Sequence, residues 1–251
     1  MMNLFQNKKI PYICTPLTGK NEDEINGELK TIFPKHPDLI EWRLDFFESI
    51  NDKEEVLRVA DVITDASDIP VLCTIRSEKE GGEKIPLSEE EKAELLVEVC
   101  ERTEVHMIDF EVSNDPMHIK QLRKRSEENN KQLILSYHNF DYTPSNNEMM
   151  ECMRLAEFYG ADIAKLAAMP KGKEDVLRLL NWTKQAADAL NIPIVSMSMG
   201  RIGSLSRIMG WAYGSIITFS VGKRSSAPGQ IPIEKLRQLI ESTQEIVGEW
   251  E

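Results

Sequence analysis

Ala161-Asp162-Ile163-Ala164-Lys165-Leu166-Ala167 is a short apolar run with an ammonium near its centre. The pattern predicts a buried β-strand, in which a lysine must find a counter-charge or lose its proton. The preceding apolar run, Leu133-Ile134-Leu135-Ser136-Tyr137-His138, ends on an imidazole. A neutral amine beside an imidazole suits Schiff-base chemistry with proton transfer. The alternative is a core lysine paired with a carboxylate, because structural ion pairs bury charge as well.

Comparable runs recur on both sides of these two. Strands are expected at residues 10–15, 39–44, 71–75, 106–111, 133–138, 163–166, 194–197 and 216–219. Their spacing of roughly 30 residues is the period of a strand, a helix and two loops. The intervening segments carry helix start signals. Ser88-Glu89-Glu90-Glu91 and Ser145-Asn146-Asn147-Glu148 read as capping boxes, and Asp115-Pro116 as a cap before a proline. The last helix is expected over 233–247. Eight such repeats without a linker or composition break predict one (β/α)8 TIM barrel, an α/β fold, as a single domain over residues 1–251. A doubly wound open sheet is the alternative. It lacks its glycine fingerprint, since Pro16-Leu17-Thr18-Gly19 follows the first strand.

Strand side chains alternate faces. Glu41 and Arg43 therefore share a face, opposite Trp42 and Leu44. Thr74 goes with Arg76, Asp109 with Glu111, Ser136 with His138, Ile163 with Lys165, and Met197 with Met199. Each polar member lies near the C-terminal end of its strand, the end that carries the active site in this kind of barrel. Buried charges cost several kcal/mol apiece unless they satisfy one another. Their convergence on one rim therefore points to a site, with Asp109 and Glu111 either orienting the cations or pairing structurally. Asp45 reads as structural. Glu80, before Gly81-Gly82, would hang over the pocket. Gly200 to Arg207 could form an anion-binding turn, and Lys223 to Gln230 has the composition of a lid.

The 251 residues carry a net charge of −12, with 41% hydrophobic and 29% charged residues. That balance disfavours nucleic-acid and anionic-membrane partners. Met1 to Pro11 holds no signal-like apolar stretch, and no run reaches the roughly 20 residues of a membrane span. Cys14, Cys73, Cys100 and Cys152 form no paired motif and read as free thiols of a cytoplasmic protein.

Several motifs resemble the type I 3-dehydroquinate dehydratases, Schiff-base-forming enzymes of the shikimate pathway. They are Glu41-Trp42-Arg43-Leu44-Asp45, Thr74-Ile75-Arg76 with Glu80-Gly81-Gly82, and Ser136-Tyr137-His138-Asn139-Phe140. Ala164-Lys165-Leu166-Ala167 with Met169-Pro170, Ser196-Met197-Ser198-Met199-Gly200, Ser206-Arg207 and Ser226-Ala227-Pro228-Gly229-Gln230 complete the set. The resemblance runs from the first strand to the lid. It implies that Lys165 forms an imine with 3-dehydroquinate, that His138 is the general acid and base, and that Glu80 assists. It implies that Arg207 binds the substrate carboxylate with Ser226 and Gln230 from the lid. Glu41, Arg43 and Arg76 would hold ring hydroxyls and the charged network, with Met197 and Phe219 against the ring. It also implies a homodimer that needs no cofactor. Read without the resemblance, the same residues also fit a class I aldolase or transaldolase on a sugar phosphate. A metal enzyme using Glu41, Asp109, Glu111 and His138, or a non-catalytic binding protein, would fit them too.

Overall fold

The computed structural model describes residues 10–247, so most of the segment read for a signal, and both ends of the expected domain, lie outside the described residues. Strands and helices alternate from β1 (Tyr12–Leu17) and α1 (Glu22–Ile32) through β2 (Leu39–Arg43), α2 (Lys53–Asp65), β3 (Val71–Thr74) and α3 (Glu89–Arg102). They continue as β4 (Met107–Glu111), α4 (Pro116–Glu128), β5 (Gln132–Asn139), α5 (Asn146–Phe158), β6 (Ile163–Ala168) and α6 (Lys173–Ala189). β7 (Ile194–Ser198), α7 (Gly200–Met209), β8 (Ile217–Val221), β9 (Ile231–Pro232) and α8 (Ile233–Val247) finish the chain.

Helix starts follow the caps read from sequence. Ser88 and Ser145 each form the full reciprocal box, with Glu91 and Glu148. The Asp115 carboxylate accepts from Met117 N ahead of Pro116. Asn21 and Asp52 cap α1 and α2 in the same way. Each such cap contributes about 1 kcal/mol to its helix.

Strands β1 to β7 pair in parallel with their sequence neighbours, and β8 pairs in parallel with β1. The ring closes between β7 and β8 by a lighter seam. Ile216 N donates to Ile194 O at 3.0 Å, and Ser196 N donates to the Ser215 hydroxyl at 3.0 Å. The expected TIM barrel is therefore the observed fold. β9 was not anticipated. It is two residues long and pairs with β8 through Ser220–Ile231, tying the end of the lid to the barrel. Strand ends also moved. β1 begins and ends two residues later than its apolar run suggests, because Pro16 and Leu17 pair with Glu41 and Trp42 of β2.

The period of two separates two cores. Trp42, Leu44, Leu133, Leu135, Ala164 and Leu166 face the helices. Tyr12, Leu39, Leu72, Met107, Ile134, Ile163 and Ile217 fill the barrel below the site. Burying each large apolar side chain is worth roughly 1.5–3 kcal/mol. This packed floor forces the next inward layer, which is charged, to sit at the C-terminal rim.

Candidate active site

The rim assembles one cavity lined by Glu41, Arg43, Arg76, Glu80, His138, Lys165, Met197, Arg207, Phe219, Ser226 and Gln230, with Phe140 and Met199. Glu41, Arg43, His138, Lys165 and Met197 came from the alternation rule, whereas Phe219 of β8 came only from the resemblance. The rule could not say which charges pair.

Lys165 is buried, and its Nζ donates to Asp109 Oδ2 at 2.7 Å. Glu41 Oε1 lies 3.7 Å from the same nitrogen, and the Phe219 ring centroid 4.4 Å. Thr74 orients Glu41 by donating to its Oε1 at 3.0 Å. The other Asp109 oxygen accepts from Arg76 Nη2 and from the Ser136 hydroxyl, both at 2.6 Å. Burial alone would raise the Asp109 carboxyl, but Arg76 and Lys165 override it and hold the group well below the usual carboxylate range.

Arg76 is the hub of the acidic side. Its Nη1 also meets Glu111 Oε1 at 3.2 Å and the Ser136 hydroxyl at 2.8 Å. Glu111 in turn accepts from Ser77 N at 2.8 Å, which fixes the loop that carries Glu80. Arg43 is held by both oxygens of Asp45, at 2.9 and 2.7 Å, and turns Nη1 toward the Ser226 carbonyl at 3.4 Å.

Glu80 sits inside the site. It ends a short 3-10 turn (Glu78–Glu80) capped by Ser77. Its Oε2 accepts from His138 N at 2.9 Å and lies 3.0 Å from His138 Nδ1. Its Oε1 accepts from the Ser113 hydroxyl at 3.0 Å. Burial and the neighbouring Glu111 push the Glu80 carboxyl up to about 8, against Arg76 and these hydrogen bonds. Burial, Arg76 and Lys165 push the His138 imidazole well below its ordinary value, so the ring itself favours the neutral form.

Arg207, on α7, differs from the other two arginines. It is buried at 2% exposure, yet no carboxylate of the described residues lies within salt-bridge distance. Nη1 meets Phe219 O and Met197 Sδ at 3.3 Å each, Nη2 meets Pro228 O at 3.2 Å, and Nε has no partner. Burial alone pushes the guanidinium down to about 10. A buried cation with an unused donor is a ready anion site.

A model of the type I 3-dehydroquinase family matches residues 13–247. The chain belongs to that family. It is 48% identical to the 3-dehydroquinate dehydratase of Albidiferax ferrireducens over 96% of this chain and 92% of the relative. The crystal structure of 3-dehydroquinate dehydratase from Geobacillus kaustophilus aligns with a TM-score of 0.93 and 43% identity, covering 96% of this chain and 93% of the other. A type I 3-dehydroquinate dehydratase from Clostridium difficile, bearing covalently modified comenic acid, aligns at 0.90 and 35%, covering 94% of each.

Within this type I 3-dehydroquinase frame, one sequence reading needs correction. The start of α7 is not an open anion turn, because Gly200 N donates to Pro228 O of the lid at 3.2 Å. The cation of that segment is the Arg207 side chain. Gln230 spends its amide inside the lid, accepting from Ser226 N at 2.9 Å and donating to the Ser226 hydroxyl at 3.1 Å. It shapes the loop as well as lining the cavity. Phe140 was missed, although it lies two residues past His138 on the same face. A Cβ on Gly81 (φ +85°) would come within 2.2 Å of the Phe140 ring, so this wall requires glycine. Among the described residues no group of three or more His, Cys, Asp and Glu is arranged to hold a metal ion, and no helix is long and apolar enough to cross a membrane. The acids that a metal would use are taken by Lys165 and Arg76.

Proposed function

We propose that this type I 3-dehydroquinase, a hydro-lyase by family, dehydrates 3-dehydroquinate to 3-dehydroshikimate through an imine on Lys165, with His138 as acid and base. The observation that carries the reading is one cavity holding a buried amine, an imidazole and a guanidinium free of any acid.

Removing a proton next to a ketone is hard at neutral pH because the carbanion is unstable. A protonated imine supplies an electron sink at the adjacent carbon. Lys165 passes a proton to His138 and attacks the C3 carbonyl; the oxygen takes one proton from the amine nitrogen and the other back from His138 and leaves as water. Asp109, 2.7 Å from the nitrogen, is the natural counter-ion of the iminium that results. His138 takes the α-proton and returns a proton to the leaving hydroxyl. Water then releases the product and restores the amine. Glu80, bonded to Nδ1, orients the ring. Arg207 takes the substrate carboxylate through two parallel hydrogen bonds, with Met197 and Phe219 beside the ring. Glu41 and Arg43 remain to meet ring hydroxyls, while Arg76, already engaged by Asp109 and Glu111, serves the network.

Ser226, Ala227 and Gln230 of the lid form part of the cavity lining, so the loop is placed to cover a bound substrate. We extend the reading to a cytoplasmic homodimer without a cofactor. Its cysteines are free, and Leu177, Ile202 and Leu205 on α6 and α7 form an exposed apolar patch of the kind that a second subunit covers.

Borohydride added with 3-dehydroquinate tests the route. A mass increase on the peptide carrying Lys165 is expected, because reduction makes an imine permanent. Turnover without any trapped adduct would end the Schiff-base assignment.

A further inference from the structure

The two oxygens of Glu80 have different surroundings. Oε2 faces the site and takes both contacts from His138. Oε1 faces away, toward the loop between β4 and α4, where the Ser113 hydroxyl reaches it at 3.0 Å. Ser113 is exposed and lines no part of the cavity. We propose that Ser113 is a positioning residue of this site: its hydroxyl anchors the outer oxygen of Glu80 and so sets how many protons the Glu80–His138 pair holds. The inference rests on the acid–base role given above to His138.

The pair shares protons across the 3.0 Å Nδ1–Oε2 contact and titrates as a unit. With Glu80 ionised, Nδ1–H donates to Oε2 and Nε2 presents a lone pair, the form that can accept an α-proton. One further proton puts a hydrogen on Nε2 and makes the pair an acid. The charged and titratable groups around it come from four strands, the loop after β3 and one helix. Arg76 Nη1 lies 3.9 Å from Oε2, and Glu111, Tyr137 and Cys152 of α5 also act on Glu80. Arg76, Lys165, Asp109 and Arg43 act on His138.

Burial and Glu111 favour the protonated carboxyl; Arg76, the Ser113 hydroxyl and the His138 amide favour the carboxylate. The balance for Glu80 falls at about 8, close enough to neutral for one hydrogen bond to change the dominant form. Arg76 cannot be altered alone, since it also holds Asp109 and Glu111. The amide belongs to the backbone. Ser113 is the adjustable contributor, and its exposed place leaves folding out of the question when it is changed. A donor to an ionised carboxylate lowers that group's proton affinity, so deleting it extends the acid form to higher pH. Water reaches Ser113 and replaces part of the bond, which limits the expected shift to about half a pH unit.

The test compares wild type, Ser113→Ala and Ser113→Thr. It uses kcat for 3-dehydroquinate across roughly pH 6–10, and the ¹⁵N titration of the His138 ring in ligand-free protein. In Ser113→Ala the rising limb of kcat and the ring titration should both move up by about half a unit. The loss should be roughly threefold at neutral pH and should vanish at high pH, while Ser113→Thr follows wild type. A uniform loss at every pH, or an unmoved ring titration, would overturn the proposal. If wild type does not turn over 3-dehydroquinate, the reaction assignment fails, and the ring titration still decides the part played by Ser113.

Discussion

Arg207→Met should separate binding from stability, because Arg207 carries a charge that the ligand-free fold does not neutralise. Burial pushes its guanidinium down from the usual arginine range to about 10. At about 1.4 kcal/mol per unit, the charged form is disfavoured in the fold by roughly 3 kcal/mol. The cation binds its proton less tightly folded than unfolded. The penalty is therefore complete at every pH below about 10 and eases only as pH rises from there toward the ordinary guanidinium value. Methionine removes it. What the variant loses are three contacts at 3.2–3.3 Å, to Phe219 O, Met197 Sδ and Pro228 O. At about 1 kcal/mol apiece or less, these roughly offset the gain. Urea unfolding of the ligand-free variant should therefore give a stability within about 1 kcal/mol of wild type. The same substitution deletes a charge-assisted pair for the substrate carboxylate. Two such bonds are worth roughly 3–4 kcal/mol, so kcat/KM should fall about 10²- to 10³-fold. A variant that unfolds several kcal/mol more easily yet keeps its KM would make Arg207 a structural pillar and refute the carboxylate site.

His138→Ala should still form the trapped imine with substrate but lose about 10²- to 10⁴-fold in kcat; full retained turnover would reject its proton-transfer role. Glu80 titrates at about 8 in the fold against an ordinary 4.5, so its contribution is favourable at low pH and is lost as pH rises through 8. Glu80→Gln should flatten the pH dependence of unfolding free energy across that interval, and an unchanged slope would contradict it. Gly229→Ala should raise KM at least tenfold, because φ there is +79° and a Cβ would lie 2.2 Å from Gly200 O, where the lid meets α7. Unaltered kinetics in that variant would show that this closed contact is not used in turnover.

The alternation of β2, β4, β5 and β6 was enough to gather Glu41, Arg43, Asp109, His138 and Lys165 at one rim. It says nothing about partners, which depend on the angular order of strands and the reach of each side chain. The sequence left Asp109 either orienting a cation or pairing structurally. Only the packed barrel divides it between Arg76 and Lys165, one oxygen each. Glu80 lies 58 positions before His138 in the chain, and the hydrogen bond between them depends on Glu111 pinning, through Ser77, the loop that carries Glu80. No local pattern carries that distance. Phe140 was legible by the same rule that found His138, two residues further along, and it lines the same cavity.

Residue order alone determined a closed ring of parallel strands and the inward layer of charge, since apolar periodicity and helix caps are properties of neighbouring residues. Which cation is neutralised and which is left open is a property of the whole. Arg43 and Arg76 meet acids from their own and adjacent strands, whereas Arg207, rising from a helix on the far side, meets only carbonyls and a thioether. A guanidinium becomes a place for an anion only when its surroundings lack one, and that is decided by packing.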